Sequence, residues 1–275
     1  MTVSVTFWGV RGSIPCCSAE HTEYGGNTSC VQVNLDDDKV IIFDAGSGLR
    51  PLGDSLIKQG ITDITLFISH MHWDHICGFP FFKPIFKKNS NVNIYAPTQQ
   101  NGQSSQEIFS LLMSPPFFPL PLHAVSSSLH FNNFQTDNSF DLFNGQLKMQ
   151  TIALAHPNGS AGYRLNYKNK SVSYISDYEH ASDGLSGKLV DFVKDSDLMI
   201  YDSMYTPEEY KYFAGWGHST WEQAALLTQA ANVKKTALFH HAPAHTDTLM
   251  REIEQQAQSK DTRLFAAKEK LTLTL

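Results

Sequence analysis

The sequence predicts an α/β protein, and three observations carry that prediction. Short apolar runs of strand length recur along the whole of the 275-residue chain, several with helix-like segments between them. Residues with metal-binding or proton-moving side chains stand directly after several of these runs, and layered α/β folds gather their sites beyond strand ends. One run, residues 64–68, leads into a histidine-rich stretch, Ser69-His70-Met71-His72-Trp73-Asp74-His75.

The elements follow in order. Residues 3–8 alternate as a strand, and Gly9 to Pro15 break it with a loop. A second glycine loop, Tyr24-Gly25-Gly26-Asn27-Thr28-Ser29, feeds a strand over 30–35; Asp36-Asp37-Asp38 turn the chain, and 39–43 return. Asp44-Ala45-Gly46-Ser47-Gly48 then allows a tight turn into a helix over 49–59. Residues 76–86 have a helical look that Pro80 and Pro84 interrupt, and 91–95 form a further strand. The stretch 97–129 is the least regular: one helix over 106–113, then the apolar, proline-rich loop 114–122. Such a loop suits a lid or a homodimer contact, and equally a segment packed on its own domain. Strands follow at 131–134, 147–154, 161–167 and 171–176, a helix at 185–193 and a strand at 198–202. A helix over 220–231, a strand over 236–239, an amphipathic helix over 246–258 and short strands at 263–265 and 271–275 close the chain. No repeat or polar linker divides it, so a single domain spanning 1–275 is expected.

With 41% hydrophobic residues the chain is able to bury a large core. Its net charge of −6 argues against a generic nucleic-acid surface, which would be basic; a local basic patch is left open. The N-terminus lacks the charged and apolar regions of a signal peptide, and no apolar run has the length of a membrane span. Four dispersed cysteines fit reduced thiols better than a disulfide framework. A cytoplasmic protein with no membrane partner is the expectation.

The histidine stretch carries the chemistry. His70 and His72 leave an extended chain on the same face, so one ion is able to take both imidazoles. Asp74 and His75 come after the chain has begun to turn and are placed to face a second ion. Imidazole with carboxylate suits zinc, manganese or iron, and a mixed set around two ions reads as catalytic metal. The plain alternative, polar residues capping a helix, leaves three histidines in six residues unexplained.

His-x-His-x-Asp-His after a strand resembles the signature of the metallo-β-lactamase superfamily. The resemblance implies a four-layer αββα sandwich, two sheets face to face with helices outside. It implies two divalent metal ions, zinc first among the candidates. His70, His72 and His156 would hold one, Asp74, His75 and His240 the other, and Asp177 would bridge them. His241 follows His240, so the last ligand carries a one-residue ambiguity; His240 is preferred because it directly follows a strand. Asp44 matches the family's first acidic motif, whose carboxylate supports the ligands through hydrogen bonds.

Within the superfamily, Tyr201-Asp202-Ser203-Met204-Tyr205 followed by Gly217-His218-Ser219-Thr220 is similar to the phosphodiesterase branch that includes ribonuclease Z, which has Glu in the first place and His-Ser-Thr in the second. The branch's acid–histidine pair then falls on Asp202 and His218, and His218 would protonate a leaving oxygen. The basic, glycine-rich arm of ribonuclease Z has no counterpart here. The stretch Trp8-Gly9-Val10-Arg11-Gly12-Ser13-Ile14-Pro15 and the Tyr24 loop look instead like small bacterial phosphodiesterases, including those of cyclic nucleotides.

The resulting expectation is a two-metal phosphodiesterase in which Asp74, Asp202 and His218 serve catalysis. A hydroxide between the ions would attack phosphorus, and the substrate is a small molecule, a 3′,5′-cyclic nucleotide before other diesters. Asn27 and Gly26 are candidate phosphate contacts. A ribonuclease, a lactonase or thioesterase on the same metals, and a non-enzymatic binding module are the competing readings. The first needs a basic groove, the Asp202–His218 pair favours phosphate leaving groups over the second, and the third would be expected to lack ligands.

Overall fold

The strands divide evenly between two compact units of the chain, each built on one seven-stranded sheet. The computed structural model describes residues 3–36, 38–182 and 184–275, so Asp37 of the predicted acidic turn lies outside the described residues. The first unit comprises Met1–Gly9, Asn27–Gln135 and Glu269–Thr274, and the second Val10–Gly26, Thr136–Lys268 and Leu275.

In the first unit, strands β1 (Ser4–Gly9), β2 (Cys30–Asn34) and β3 (Val40–Phe43) form an antiparallel meander. Helix α1 (Leu49–Gln59) then carries the chain to β4 (Asp63–Phe67), parallel to β3. Beyond the short helix α2 (Trp73–Ile76) come β5 (Asn91–Pro97), α3 (Ser105–Leu112) and β6 (Ser128–Phe134), with both strands again parallel. A last strand, Thr272–Thr274, pairs antiparallel with the outer edge of β1. The interior strands β3 and β4 are almost continuously apolar, as strands covered on both faces must be. Leu49, Leu52 and Leu56 of α1 pack with Ile42, Leu66 and Phe82 in one core. Pro80 and Pro84 split the helical-looking 76–86 into 3₁₀ turns, Phe79–Phe81 and Lys83–Phe86. In the proline-rich loop, the Phe118 ring meets Phe81 edge-on at 5.6 Å, while Phe117 is exposed.

The second unit repeats this plan. β7 (Ser139–Leu142), β8 (Leu147–Leu154), β9 (Ser160–Tyr167) and β10 (Lys170–Ile175) are antiparallel neighbours. After α4 (Gly187–Val193), β11 (Leu198–Asp202) adds parallel to β10. Helices α5 (Pro207–Phe213) and α6 (Trp221–Ala230) precede β12 (Thr236–Phe239), and α7 (Asp247–Lys260) precedes β13 (Leu264–Ala266), both strands parallel. Met250, Ile253 and Ala257 of α7 pack with Ala224 and Leu227 of α6 and with Met199, Tyr201 and Leu238 of the sheet. Helices α2 and α5 and strand β7 stand where the sequence reading placed no element. β7 is a four-residue edge strand, and α5 begins at a proline. Among the described residues no helix is long and apolar enough to cross a membrane.

Candidate metal and acid–base site

Asp44 directly follows β3, Asp202 is the last residue of β11, and His240 directly follows β12. His70 stands three residues after β4, and His156 and Asp177 two after β8 and β10. Three of these residues hold left-handed backbones, Asp44 at φ 61°, Asp177 at φ 57° and His240 at φ 60°. Such backbones are uncommon outside glycine and cluster where a side chain must be aimed.

In the first unit, β4 ends at a knot of three imidazoles. The His70 ring lies 4.3 Å from His72 and 4.4 Å from His75. His72 is the N-cap residue of α2, and its first turn brings Asp74 and His75 back beside the strand end. Asp44 organises the group. Its carboxylate accepts from the Ser69 amide at 2.7 Å and the Ser69 hydroxyl at 2.8 Å, and lies 2.7 Å from His75 Nδ1. With Nδ1 fixed by Asp44, His75 turns Nε2 to within 3.3 Å of Asp74 Oδ2. His70, Asp74 and His75 are buried.

The second unit gathers His156, Asp177, Asp202, His218 and His240. Single ligand atoms of Asp177, Asp202, His218 and His240 all lie within 4.8 Å of one another. His240 Nε2 is 3.4 Å from Asp177 Oδ2, and His156 Nε2 is 3.7 Å from Asp177 Oδ1. His156 Nδ1 lies 2.8 Å from the Gly217 carbonyl, which fixes the ring, and burial pushes its imidazole pKa down, favouring the neutral form that binds metal.

The donor set fits a divalent ion. Bonds of about 2.0–2.1 Å in a tetrahedron place ligand atoms roughly 3.3–3.4 Å from one another. The separations Asp74–His75 and Asp177–His240 match that edge, and both are longer than an ordinary hydrogen bond.

Asp202 and His218 form a different kind of pair. His218 Nδ1 is 2.8 Å from Asp202 Oδ2, while Asp202 Oδ1 accepts from the amides of Met204 and Ser219 at 3.0 and 3.3 Å. The carboxylate is thus held by backbone and in turn orients the ring, the arrangement that readies a histidine to exchange a proton through Nε2. The ring stacks on His240 at 5.0 Å.

Asn27 and Gly26, the two expected phosphate contacts, are packed within the N-terminal loops. The Asn27 side chain is engaged at both ends, its Nδ2 donating to Glu269 at 3.0 Å and its Oδ1 accepting from Ser47 at 2.9 Å. Gly26 is pressed on the backbone of Cys16, whose carbonyl a Cβ there would overlap. Both residues close the N-terminal loops. His241, the alternative to His240, is fully buried with Nε2 2.9 Å from the Ala267 carbonyl.

Other residues that shape the site carried no assigned role. Gly12 lies so close to His240 that a Cβ there would sit 2.5 Å from its Nδ1. Glu179 binds the amides of Gly215 and Gly217, the residues that lead into His218. The sequence did hold a signal for the segment before His218: Thr206-Pro207-Glu208-Glu209 is a capping box with proline at the first helical position.

Comparison with known proteins agrees with this architecture. A family model described as "Beta-lactamase superfamily domain" matches residues 39–241. The chain is 24% identical to Ribonuclease Z of Prochlorococcus marinus subsp. pastoris, over 98% of this chain and 99% of that protein. Among solved structures it is similar to the metallo-β-lactamase fold protein YhfI of Bacillus subtilis, with TM-score 0.74, 17% identity and all of both chains covered. It is also similar to a diphosphatase of the PhnP family, with TM-score 0.71, 18% identity, and 100% of this chain and 98% of that one covered. The two structural likenesses show the α/β metallo-β-lactamase fold.

Proposed function

The chain belongs to the metallo-β-lactamase superfamily and is a metal-dependent hydrolase of that fold, and from that premise we propose that it hydrolyses small phosphodiesters. The proposed ligands of two divalent ions are His70, His72 and His156 for one, Asp74, His75 and His240 for the other, and Asp177 for both. Zinc is the first candidate by donor chemistry, ahead of manganese and iron. Two such ions supply a nucleophile at neutral pH and neutralise charge developing on a phosphoryl group. Asp44 fixes the His75 tautomer for this task.

The observation that carries the reading is the Asp202–His218 pair standing beside Asp177 and His240 within one unit. Ester hydrolysis with an alkoxide leaving group needs a proton at the departing oxygen, and an oriented imidazole provides it. A thioesterase reading leaves that pair without a task, because a thiolate departs without a proton.

The finer proposal is a 3′,5′-cyclic nucleotide. Residues 97–129 contain no lysine or arginine, and the chain carries net charge −6. A tRNA substrate would demand many phosphate contacts, whose affinity falls steeply with salt. A second reading, an RNA endonuclease, is favoured by the likeness to Ribonuclease Z over nearly the full length of both chains. A panel of cyclic nucleotides, linear dinucleotides and precursor tRNA, assayed from low to physiological salt, separates the two. We expect cyclic-nucleotide hydrolysis with shallow salt dependence and no efficient tRNA cleavage. Efficient 3′ cleavage of tRNA with inert cyclic nucleotides would reverse the order.

A further inference from the structure

The segment that delivers His218 carries an exposed indole on a tightly held loop. Trp216 is 62% exposed, between Gly215 at φ 92° and Gly217 at φ 89°, two backbones that side chains rarely adopt. Glu179 clamps this loop. Its Oε1 accepts from the Gly215 amide at 2.5 Å and from the Tyr210 hydroxyl at 3.1 Å, and its Oε2 from the Gly217 amide at 2.8 Å. The Gly217 carbonyl in turn lies 2.8 Å from His156 Nδ1. The loop is therefore bound at both glycines, and its tryptophan is displayed rather than loose.

A run of rings leads from that indole to the proposed acid. Trp216 meets Phe213 edge-on at 5.4 Å, Phe213 stacks on Tyr205 at 5.0 Å with 15° between planes, and Tyr205 meets His218 edge-on at 5.9 Å. Leaving a large apolar side chain in water on an ordered loop forfeits the gain of burying it, and aromatic residues displayed this way commonly serve recognition.

We propose that Trp216 is the platform on which the nucleobase of the substrate stacks, so that the ester oxygen of a base-bearing phosphodiester is presented to His218. This rests on the phosphodiesterase reading and narrows it to nucleotide substrates. Base rings carry π-faces whatever their edges, and the neighbours of Trp216 in the loop are Ala214, Gly215 and Gly217, which offer no side-chain hydrogen bond to a base edge. The site accordingly discriminates purine from pyrimidine by stacking strength and barely tells adenine from guanine.

The test is equilibrium binding of AMP and of ribose 5-phosphate to the metal-loaded protein, for wild type, Trp216→Ala and Trp216→Phe, with diester hydrolysis measured alongside. Alanine should weaken AMP about 5- to 150-fold, the range that one base–aromatic stack commands. Ribose 5-phosphate, which has the phosphate and no base, should bind all three proteins alike, and phenylalanine should restore most of the AMP affinity. Equal weakening of both ligands, unchanged AMP binding in the alanine variant, or no AMP binding by wild type would each overturn the platform. The two proposals fail separately. Trp216-dependent AMP binding without diester hydrolysis would overturn only the catalytic reading, and hydrolysis with Trp216-independent AMP binding would overturn only the platform.

Discussion

Replacing His218 by alanine is expected to lower turnover by roughly 10²–10⁴ on diesters with alkoxide leaving groups, the range a general acid supplies. Metal content should stay at the wild-type level, because the ring is oriented by Asp202 at 2.8 Å and is not among the proposed ligands. The loss should shrink on nitrophenyl diesters, whose leaving group departs with little need of a proton. Asp202→Asn should show the same leaving-group pattern in milder form, since the amide would still contact the ring while removing the charge that stabilises its protonated state. A loss of equal size on both substrate types would assign His218 to binding or structure instead. Metal analysis of the same samples distinguishes a lost acid from a damaged centre.

The second large effect concerns stability. Arg11→Ala is expected to cost about 3–5 kcal/mol, the scale for breaking a buried charged network by removing one partner. The Arg11 side chain is wholly buried. Its Nε donates to the Gly25 carbonyl at 2.8 Å, and its Nη1 to His245 at 2.6 Å and Ala242 at 3.2 Å. Its Nη2 lies 4.0 Å from Asp247, whose carboxylate caps the amides of Glu23 and Tyr24. One side chain thus ties the N-terminal loop to the segment after β12, and truncation leaves three buried carbonyls short of a donor and the Asp247 carboxylate without its neighbouring positive charge. Thermal unfolding should fall by roughly 10 °C, taking about 2–4 °C per kcal/mol for a chain of this size. Arg11→Lys should recover little of it, because an ammonium does not reproduce the guanidinium fork. A change below about 1 kcal/mol would show that water or neighbours satisfy these carbonyls.

Local pattern made much of the fold legible. Helix 49–59 and the strands 147–154, 198–202 and 236–239 stand where periodicity places them, because each has a continuous or regularly spaced apolar face. The edge strand β7 left little trace, since a strand of two exposed and two half-buried residues at a sheet margin needs few apolar side chains. Helix α5 escaped notice for a different reason. Pro207 reads as a break unless it is taken with Thr206 and Glu209 as a helix start.

The site divides in the same way. His70, His72, Asp74 and His75 are neighbours in sequence, so their chemistry shows in one short stretch. The roles of Arg11, Gly12 and Glu179 do not, because each acts on backbone or rings distant along the chain: Arg11 on His245, Gly12 on His240, and Glu179 on Gly217. The left-handed backbones of Asp44, Asp177 and His240 fall on residue types that tolerate this conformation better than most, but which Asp and His adopt it is set by the surrounding fold. Asn27 shows the converse. A polar residue in a glycine-rich loop reads as a ligand contact, yet its side chain is held by Glu269 and Ser47.

The central claim, that this fold works as a two-metal phosphodiesterase, is tested most directly by titrating metal-stripped protein with Zn²⁺ or Mn²⁺ while following hydrolysis of bis(p-nitrophenyl) phosphate. The account predicts no turnover without metal, and activity that rises and saturates at about two ions per chain, as a binuclear site requires. Turnover that persists in the stripped protein, or a protein that binds its metal fully and leaves the diester intact, would contradict it.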